Sequence, residues 1–411
     1  MYSPGCVTST RIYCGRSTNC AGGLAQKIRP TPGPTIFWPY WLNRIAVLHD
    51  SKIPMRSPRK TGAPKQDFAT RIIAWQRHSG RHGLPWQASR EPYRIWLSEI
   101  MLQQTQVATV IPYFERFVAR FPSLAELADA EEDEVLALWS GLGYYARARN
   151  LHRAAREIRD HHGGQFPRDA EAIGQLPGVG RSTAGAIAVF AFGAREAILD
   201  GNVKRVLTRY LGIEGFPGGR QVEERLWACT ESLLPAQDFE TYTQGLMDLG
   251  ATVCIRGQAK CEACPLAEGC VARRENRVAE LPSPRPRKSR PEKSTVMLIL
   301  RHREEILLEK RPAPGIWGGL WSFPEIATTL EAGESMLRQF GARTRVDSVL
   351  APLRHGFTHF SLTITPVILA VTELELRAHS TPHQWLTVAE ALSAGVPAPV
   401  RAILRDLPRK D

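Results

Sequence analysis

The chain has 411 residues, too many for one ordinary core, so two or three domains are expected. Hydrophobic residues make up 43%, a globular proportion, and no run of about 18 apolar residues appears, which excludes a helix spanning a bilayer. Lys and Arg outnumber Asp and Glu by 53 to 41, a net charge of +12. That excess favours a polyanionic partner, nucleic acid before an anionic membrane.

Residues 1–65 are rich in Ser, Thr, Gly, Pro, Arg and Lys, hold one acidic residue (Asp50) and lack periodicity. An acid-poor, Arg- and Ser-rich start matches an organelle transit peptide. A disordered tail, or an upstream start with Met55 as the working one, is the blander alternative, and no fold is expected. Residues 66–279 read as all-α. Val203, Val206, Leu207, Tyr210 and Leu211 repeat as one buried helical face, and similar patterns run through Leu124–Leu138 and Ala184–Ala191. Residues 280–294, with LPSPRPRKSRPEK, form a basic, Pro-rich linker, either a solvated connector or a strip along a phosphate backbone. Residues 295–411 carry strand-like runs at Val296–Arg301, Ile306–Glu309 and Phe360–Val371 and helical stretches at Ala332–Phe340 and Val388–Ser393, a smaller α+β domain.

Four of the eight cysteines, Cys254, Cys261, Cys264 and Cys270, form a C-x6-C-x2-C-x5-C run; Cys6, Cys14, Cys20 and Cys229 are scattered. A large chain without an evident secretory signal has little need of disulfides, so the cluster points to metal in a reducing compartment. Four thiolates at this spacing close around one [4Fe–4S] cubane. A four-cysteine zinc site is the alternative, although zinc usually takes two C-x2-C pairs, and only one occurs here.

Three further motifs bear on chemistry. In LPGVGRS, Gly178 and Gly180 lie between helical patterns. There a glycine turn brings backbone N–H groups close to a phosphate and the next helix N-terminus adds positive charge, although Pro-Gly turns between helices are common. In LDGNVKRV, Asp200 and Asn202 precede the periodic helix as cap residues. An acidic N-cap is the plain interpretation, while the helix dipole would also keep such a carboxylate ionised in a partly dry site. In WLSEIMLQQTQ, Glu99, Gln103 and Gln106 are predicted to share one helical stripe, usually a solvated face, with Ile100 and Leu102 placed to desolvate Glu99.

These runs, together with GLGYYARARNL, occur in an order and spacing that closely resemble MutY-type adenine DNA glycosylases of the helix–hairpin–helix superfamily, from about Asp67 to the C-terminus. The resemblance implies a two-lobed helical glycosylase domain with an iron–sulfur loop, followed by a MutT-like (Nudix-like) α+β domain. It implies that Glu99 protonates a departing adenine and that Asp200 stabilises the sugar cation. One carboxyl must then hold a proton while the other stays charged. Trp86, Gln87 and Gln244 would line the pocket of the flipped base, and Gln104 and Tyr144 would wedge the duplex. Gly178, Gly180, Ser182 and Asn202 would contact DNA. The sister endonuclease III family carries a Lys nucleophile where Ser182 stands, and a hydroxyl forms no imine, so base removal without a lyase step is expected. Lys204, near Asp200, would trap an aldehyde only as a side reaction.

GIWGGLWSFP resembles the run before a Nudix box, but no acidic magnesium-binding helix follows, so the C-terminal domain is expected to recognise rather than hydrolyse. Phe357, Thr358 and His359 match the loop that reads 8-oxoguanine, with Thr358 where the family usually has Ser. The implied partner is double-stranded DNA with A:8-oxoguanine or A:G mispairs, met by a monomer with no membrane association. The likeness to bacterial members places it in the cytoplasm, at the nucleoid. Two alternatives are an endonuclease III-like glycosylase for oxidised pyrimidines and a non-catalytic iron–sulfur DNA-binding protein.

Overall fold

The computed structural model describes residues 65–408 apart from 287–288, 313–314, 328–331 and 376–381. The N-terminal extension, with Cys6, Cys14 and Cys20, lies outside the described residues.

The helical part runs α1 (Lys65–Ser79), α2 (Pro92–Leu102), α3 (Val107–Arg120), α4 (Leu124–Asp129), α5 (Glu132–Trp139) and α6 (Ala146–His161). It continues with α7 (Ala170–Gln175), α8 (Arg181–Phe192), α9 (Gly201–Leu211), α10 (Arg220–Ser232), α11 (Phe239–Asp248) and the short α12 (Val271–Arg274). Local chemistry sets the starts. The Glu91, Asp169 and Asp200 side chains accept N–H bonds from the first turns of α2, α7 and α9. Gly193 and Gly212 close α8 and α9 in the left-handed conformation.

Two apolar cores divide these helices into lobes. Trp96, Leu97, Met101, Phe117 and Trp139 anchor one, built from α2 to α8. Phe68, Ile72, Val203, Leu207, Tyr242 and Leu246 anchor the other, built from α1 and α9 to α11. Helix α8 belongs to both: Ala184, Ile187 and Ala188 face the first core and Ala186 the second. A cleft between the lobes is therefore floored by one helix whose N-terminus is the hairpin. On α9 the predicted face holds at Val203, Val206 and Leu207, while Tyr210 and Leu211 are only half-buried.

Among the described residues the C-terminal domain is a mixed sheet with three helices: β1 (Glu292–His302), β2 (Glu305–Lys310), β3 (Trp321–Ser322), β4 (Glu325–Ile326), α13 (Ala332–Phe340), β5 (Ala342–Val349), β6 (Leu353–Gly356), β7 (Ser361–Leu374), β8 (His383–Thr387), α14 (Val388–Ser393) and α15 (Ala398–Asp406). Strand order is β3-β2-β1-β7-β5, with β8 also on β2, β6 on β7 and β4 on β1. Strands β1 and β7 are parallel from Glu292↔Ser361 to Arg301↔Ala370. Strand β1 thus begins inside the span read from sequence as linker. Because successive side chains alternate, Val296, Leu298 and Leu300 pack with Met336 and Phe340 of α13, while Met297 and Ile299 face the opposite way. That opposite face joins the core of the first lobe.

Polar contacts seal the junction. The Ser140 Oγ and Tyr145 hydroxyls donate to the Val396 carbonyl at 2.8 and 3.3 Å, Arg401 Nη2 donates to Ser140 Oγ at 2.8 Å, and Lys310 pairs with Asp133 at 2.6 Å. Among the described residues no helix is long and apolar enough to cross a membrane.

Candidate active site

A cleft of about 1430 Å³ lies between the two lobes. Its wall takes Trp86 and Gln87 from the short turn Pro85–Gln87, Glu99 from α2, Gln104 from the following loop, Ser182 from the first turn of α8, Asp200 and Asn202 from the start of α9, and Gln244 from α11. Residues scattered over 159 positions of sequence thus share one wall, because α8 lies under both lobes. Close approach makes this possible: a Cβ on Gly185 of α8 would meet the Ala197 carbonyl oxygen at 2.7 Å, so only glycine lets the segment leading to Asp200 lie on the helix.

The two carboxyl groups differ in what surrounds them. Asp200 caps α9, accepting the Val203 N–H at 2.7 Å and Asn202 Nδ2 at 3.1 Å. Its backbone is steadied by Ser182, whose Oγ accepts the Leu199 N–H at 2.9 Å. Glu99 accepts no hydrogen bond from the described residues; burial, and secondly the charge of Asp200, push its pKa up to about 8. Burial also raises Asp200, against the donors from Val203 and Asn202. This corrects the expectation that the helix N-terminus would hold Asp200 low: desolvation outweighs the cap. The asymmetry survives in the donors, which favour charge on Asp200 and leave the proton to Glu99.

A profile described as the HhH-GPD superfamily of base excision DNA repair proteins matches residues 97–232, and one for a NUDIX domain matches 295–406. The adenine DNA glycosylase of Buchnera aphidicola (subsp. Acyrthosiphon pisum) is 37% identical over 83% of this chain and 98% of its own length. The human adenine DNA glycosylase is 33% identical over 82% of this chain and 73% of its own. The chain belongs to the adenine DNA glycosylase family. It is thus an enzyme of base excision repair that acts on N-glycosyl bonds, with a helix–hairpin–helix domain followed by a Nudix domain. A solved thermostable thymine-DNA glycosylase is also similar, 29% identical with a TM-score of 0.48 over 51% of this chain and 97% of its own.

On this glycosylase frame one predicted element fails. Gln103 and Gln106 do not share a helical stripe with Glu99, because α2 ends at Leu102 and Gln104 turns left-handed at φ 58°. Gln103 instead reaches the hairpin, its Nε2 donating to the Gly178 carbonyl at 3.3 Å and to Thr183 Oγ1 at 3.4 Å, and Gln106 precedes the first turn of α3 without a side-chain bond to it. Gly178 needs φ +81°, and a Cβ there would strike Asn150 at 2.8 Å; beyond Gly180, by contrast, the Cβ direction is open. Tyr144, outside the cleft, is 51% exposed and also left-handed at φ 52°. Gln104 and Tyr144, two of the six described non-glycine residues with positive φ, both at exposed loop positions, carry roughly 1–2 kcal/mol of strain each.

A buried guanidinium joins those two loops. Arg147 donates to the carbonyls of Ile100 and Met101 in the last turn of α2, to Thr105 Oγ1 and to the carbonyls of Leu142 and Gly143. Sequence reasoning passed over Arg147, and also Arg205, which lines the cleft and links Asn202 Oδ1 to the Gly250 and Cys254 carbonyls. For Arg147 the available signal was a charge on the apolar helical face of Leu151, Ala154 and Ile158; Arg205 lies off the face of Val203, Val206 and Leu207 and carried none. Lys204 is engaged by Glu223 at 2.8 Å and is absent from the cleft wall, so the expected side reaction has no geometric support.

The four clustered cysteines line a second, small cavity with Val206, Leu249, Leu266, Lys260 and Arg273. Among the described residues no three Cys, His, Asp or Glu side chains stand close enough for a single metal ion. Arg209 Nη1 lies 3.4 Å from Cys254 Sγ, and burial pushes the Cys264 thiol up to about 11. Four soft donors around one apolar cavity, with three cations at its rim, fit a negatively charged group wider than one ion.

Phe357, Thr358 and His359 lie on the β6–β7 turn, apart from the cleft wall, where Phe357 N–H donates to the Phe360 carbonyl. Phe357 stacks on Phe360 at 4.4 Å and stands 5.4 Å from Trp317 and 4.7 Å from His355, while Thr358 and His359 are exposed.

Proposed function

We propose that the protein removes adenine mispaired with 8-oxoguanine, or with guanine, from duplex DNA, and does so without a lyase step. The observation that carries this reading is the pair of carboxyl groups in one cleft, Asp200 held by donors and Glu99 held by none. An extruded nucleotide enters the cleft. Glu99 gives its proton to the adenine ring as the bond from C1′ to the base breaks, the electron pair leaving with the base. The Asp200 carboxylate stabilises the sugar cation, and water adds at C1′ and loses a proton to the Glu99 carboxylate. Trp86, Gln87 and Gln244 bound the base, while Gln104 and Tyr144 wedge the duplex. The hairpin of Gly178 and Gly180, with Ser182 in the first turn of α8, docks a phosphate, and Asn202 orients Asp200.

Residues 66–279 act as the glycosylase domain, 280–291 as the linker and 292–411, from the start of β1, as the recognition domain, whose Phe357, Thr358 and His359 read 8-oxoguanine. Cys254, Cys261, Cys264 and Cys270 hold a [4Fe–4S] cluster. When bound, the cluster would tie the 254–270 loop to itself in one fold, beside Val206 and Arg209 of α9. The protein works as a monomer.

The test is single-turnover base release from A:8-oxoguanine, A:G, A:C and oxidised-pyrimidine duplexes. The expected result is fastest release of adenine opposite 8-oxoguanine, lowered at least about 100-fold by Glu99→Gln. Release of oxidised pyrimidine in place of adenine, or an undiminished Glu99→Gln rate, rejects the reading.

A further inference from the structure

Asp248 ends α11 with its side chain wholly buried beside the cleft. A carboxylate so placed needs donors, and two residues supply them. Arg81 gives its backbone N–H to Oδ2 at 2.7 Å and its Nε to Oδ1 at 2.7 Å, and Gln244 Nε2 donates to Oδ1 at 2.8 Å. The consequence for Gln244 follows from the chemistry of the acceptor. A charged carboxylate cannot donate, so the amide nitrogen of Gln244 must face Asp248. The Gln244 oxygen accepts nothing among the described residues and is left for the cleft, whose wall Gln244 forms. The same carboxylate reaches the other pocket amide through Arg81: Gln87 Nε2 donates to the Arg81 carbonyl at 3.4 Å, and Gln87 Oε1 accepts the Leu84 N–H at 3.0 Å.

We infer that Asp248 is the specificity-positioning residue of the cleft: by holding the Gln244 nitrogen it presents the Gln244 oxygen to the extruded base as a fixed acceptor. The wall then selects a purine with an exocyclic amino group over one that lacks it. This rests on the reading that the cleft takes an extruded adenine. A plain staple between α11 and the α1–α2 connection would have a different signature, since its loss would slow excision of every base alike.

The experiment measures single-turnover excision of adenine and of purine (adenine without its amino group), each opposite 8-oxoguanine, on the intact protein. Asp248→Leu keeps roughly the size and removes the Oδ1 acceptor that Gln244 Nε2 shares with Arg81 Nε. It is expected to lower adenine excision about tenfold more than purine excision. Gln244→Leu is expected to lose the same preference, and Asp248→Leu added to it to change the preference no further. Equal losses on both bases in Asp248→Leu overturn the inference. So does a Gln244→Leu variant that keeps the wild-type preference, an outcome that decides even where Asp248→Leu fails to fold. A wild type that releases neither base overturns the adenine reading itself.

Discussion

A carboxyl group that accepts no hydrogen bond and faces a second carboxyl group holds its proton, and Glu99 does so up to about pH 8. Protonation is what a general acid needs, so the single-turnover rate is expected to be flat near neutrality and to fall as pH rises through about 8. A pH–rate profile under saturating enzyme checks this. The same group bears on stability with a definite sign. Glu99 takes up its proton at higher pH folded than unfolded, so the folded state binds more protons between about 4.5 and 8. Stability is therefore lost across that window as pH rises. Glu99→Gln is expected to gain about 1 kcal/mol at pH 8 while losing activity, measured by denaturant unfolding of wild type and variant at pH 5 and pH 8.

At the scale of elements, catalysis depends on where α2 stops. Its last carbonyls have no helical partners, and Arg147 serves those of Ile100 and Met101 while also holding the loop of Tyr144. Burial lowers the Arg147 pKa to about 10, which still leaves it charged at neutral pH. Replacing it with Met would strand several carbonyls and release both loop tips. Arg147→Met is expected to cost about 2–4 kcal/mol of stability. It is also expected to weaken binding to a mispaired duplex more than to single-stranded DNA, read by thermal unfolding and by titration of the two DNAs.

For the whole molecule, the sheet face bearing Met297 and Ile299 continues the core of the first lobe, and Gly395 comes so near that a Cβ would sit 3.2 Å from the Ala137 nitrogen. The Nudix domain is thus packed on α5 and α6, helices that flank the Tyr144 loop. Ending the chain at residue 290 is expected to lower the unfolding midpoint of the helical part, because Leu136 would lose its cover. Calorimetry on the two chains tests this, and an unchanged midpoint would count against a shared core.

Much of the protein was legible in one dimension because the signals are local. Helical period, Asp200 as a cap, the left-handed glycine of the hairpin and the spacing of four thiols each depend on neighbours within a turn or a loop. Three strands of the second domain, β1, β2 and β7, were legible too, although β1 is longer than its apolar run, since parallel pairing with β7 draws in Glu292 to Ser294; β3, β4, β5, β6 and β8, short or largely exposed, were not. Tertiary structure alone decided the rest. The end of α2, the upward shift of Asp200, the tie from Gln103 to the hairpin and the hold of Asp248 on Gln244 all arise from chain segments distant in sequence. Desolvation and hydrogen-bond partnership are sums over whatever the fold brings near, and that sum is not written in any local stretch of residues.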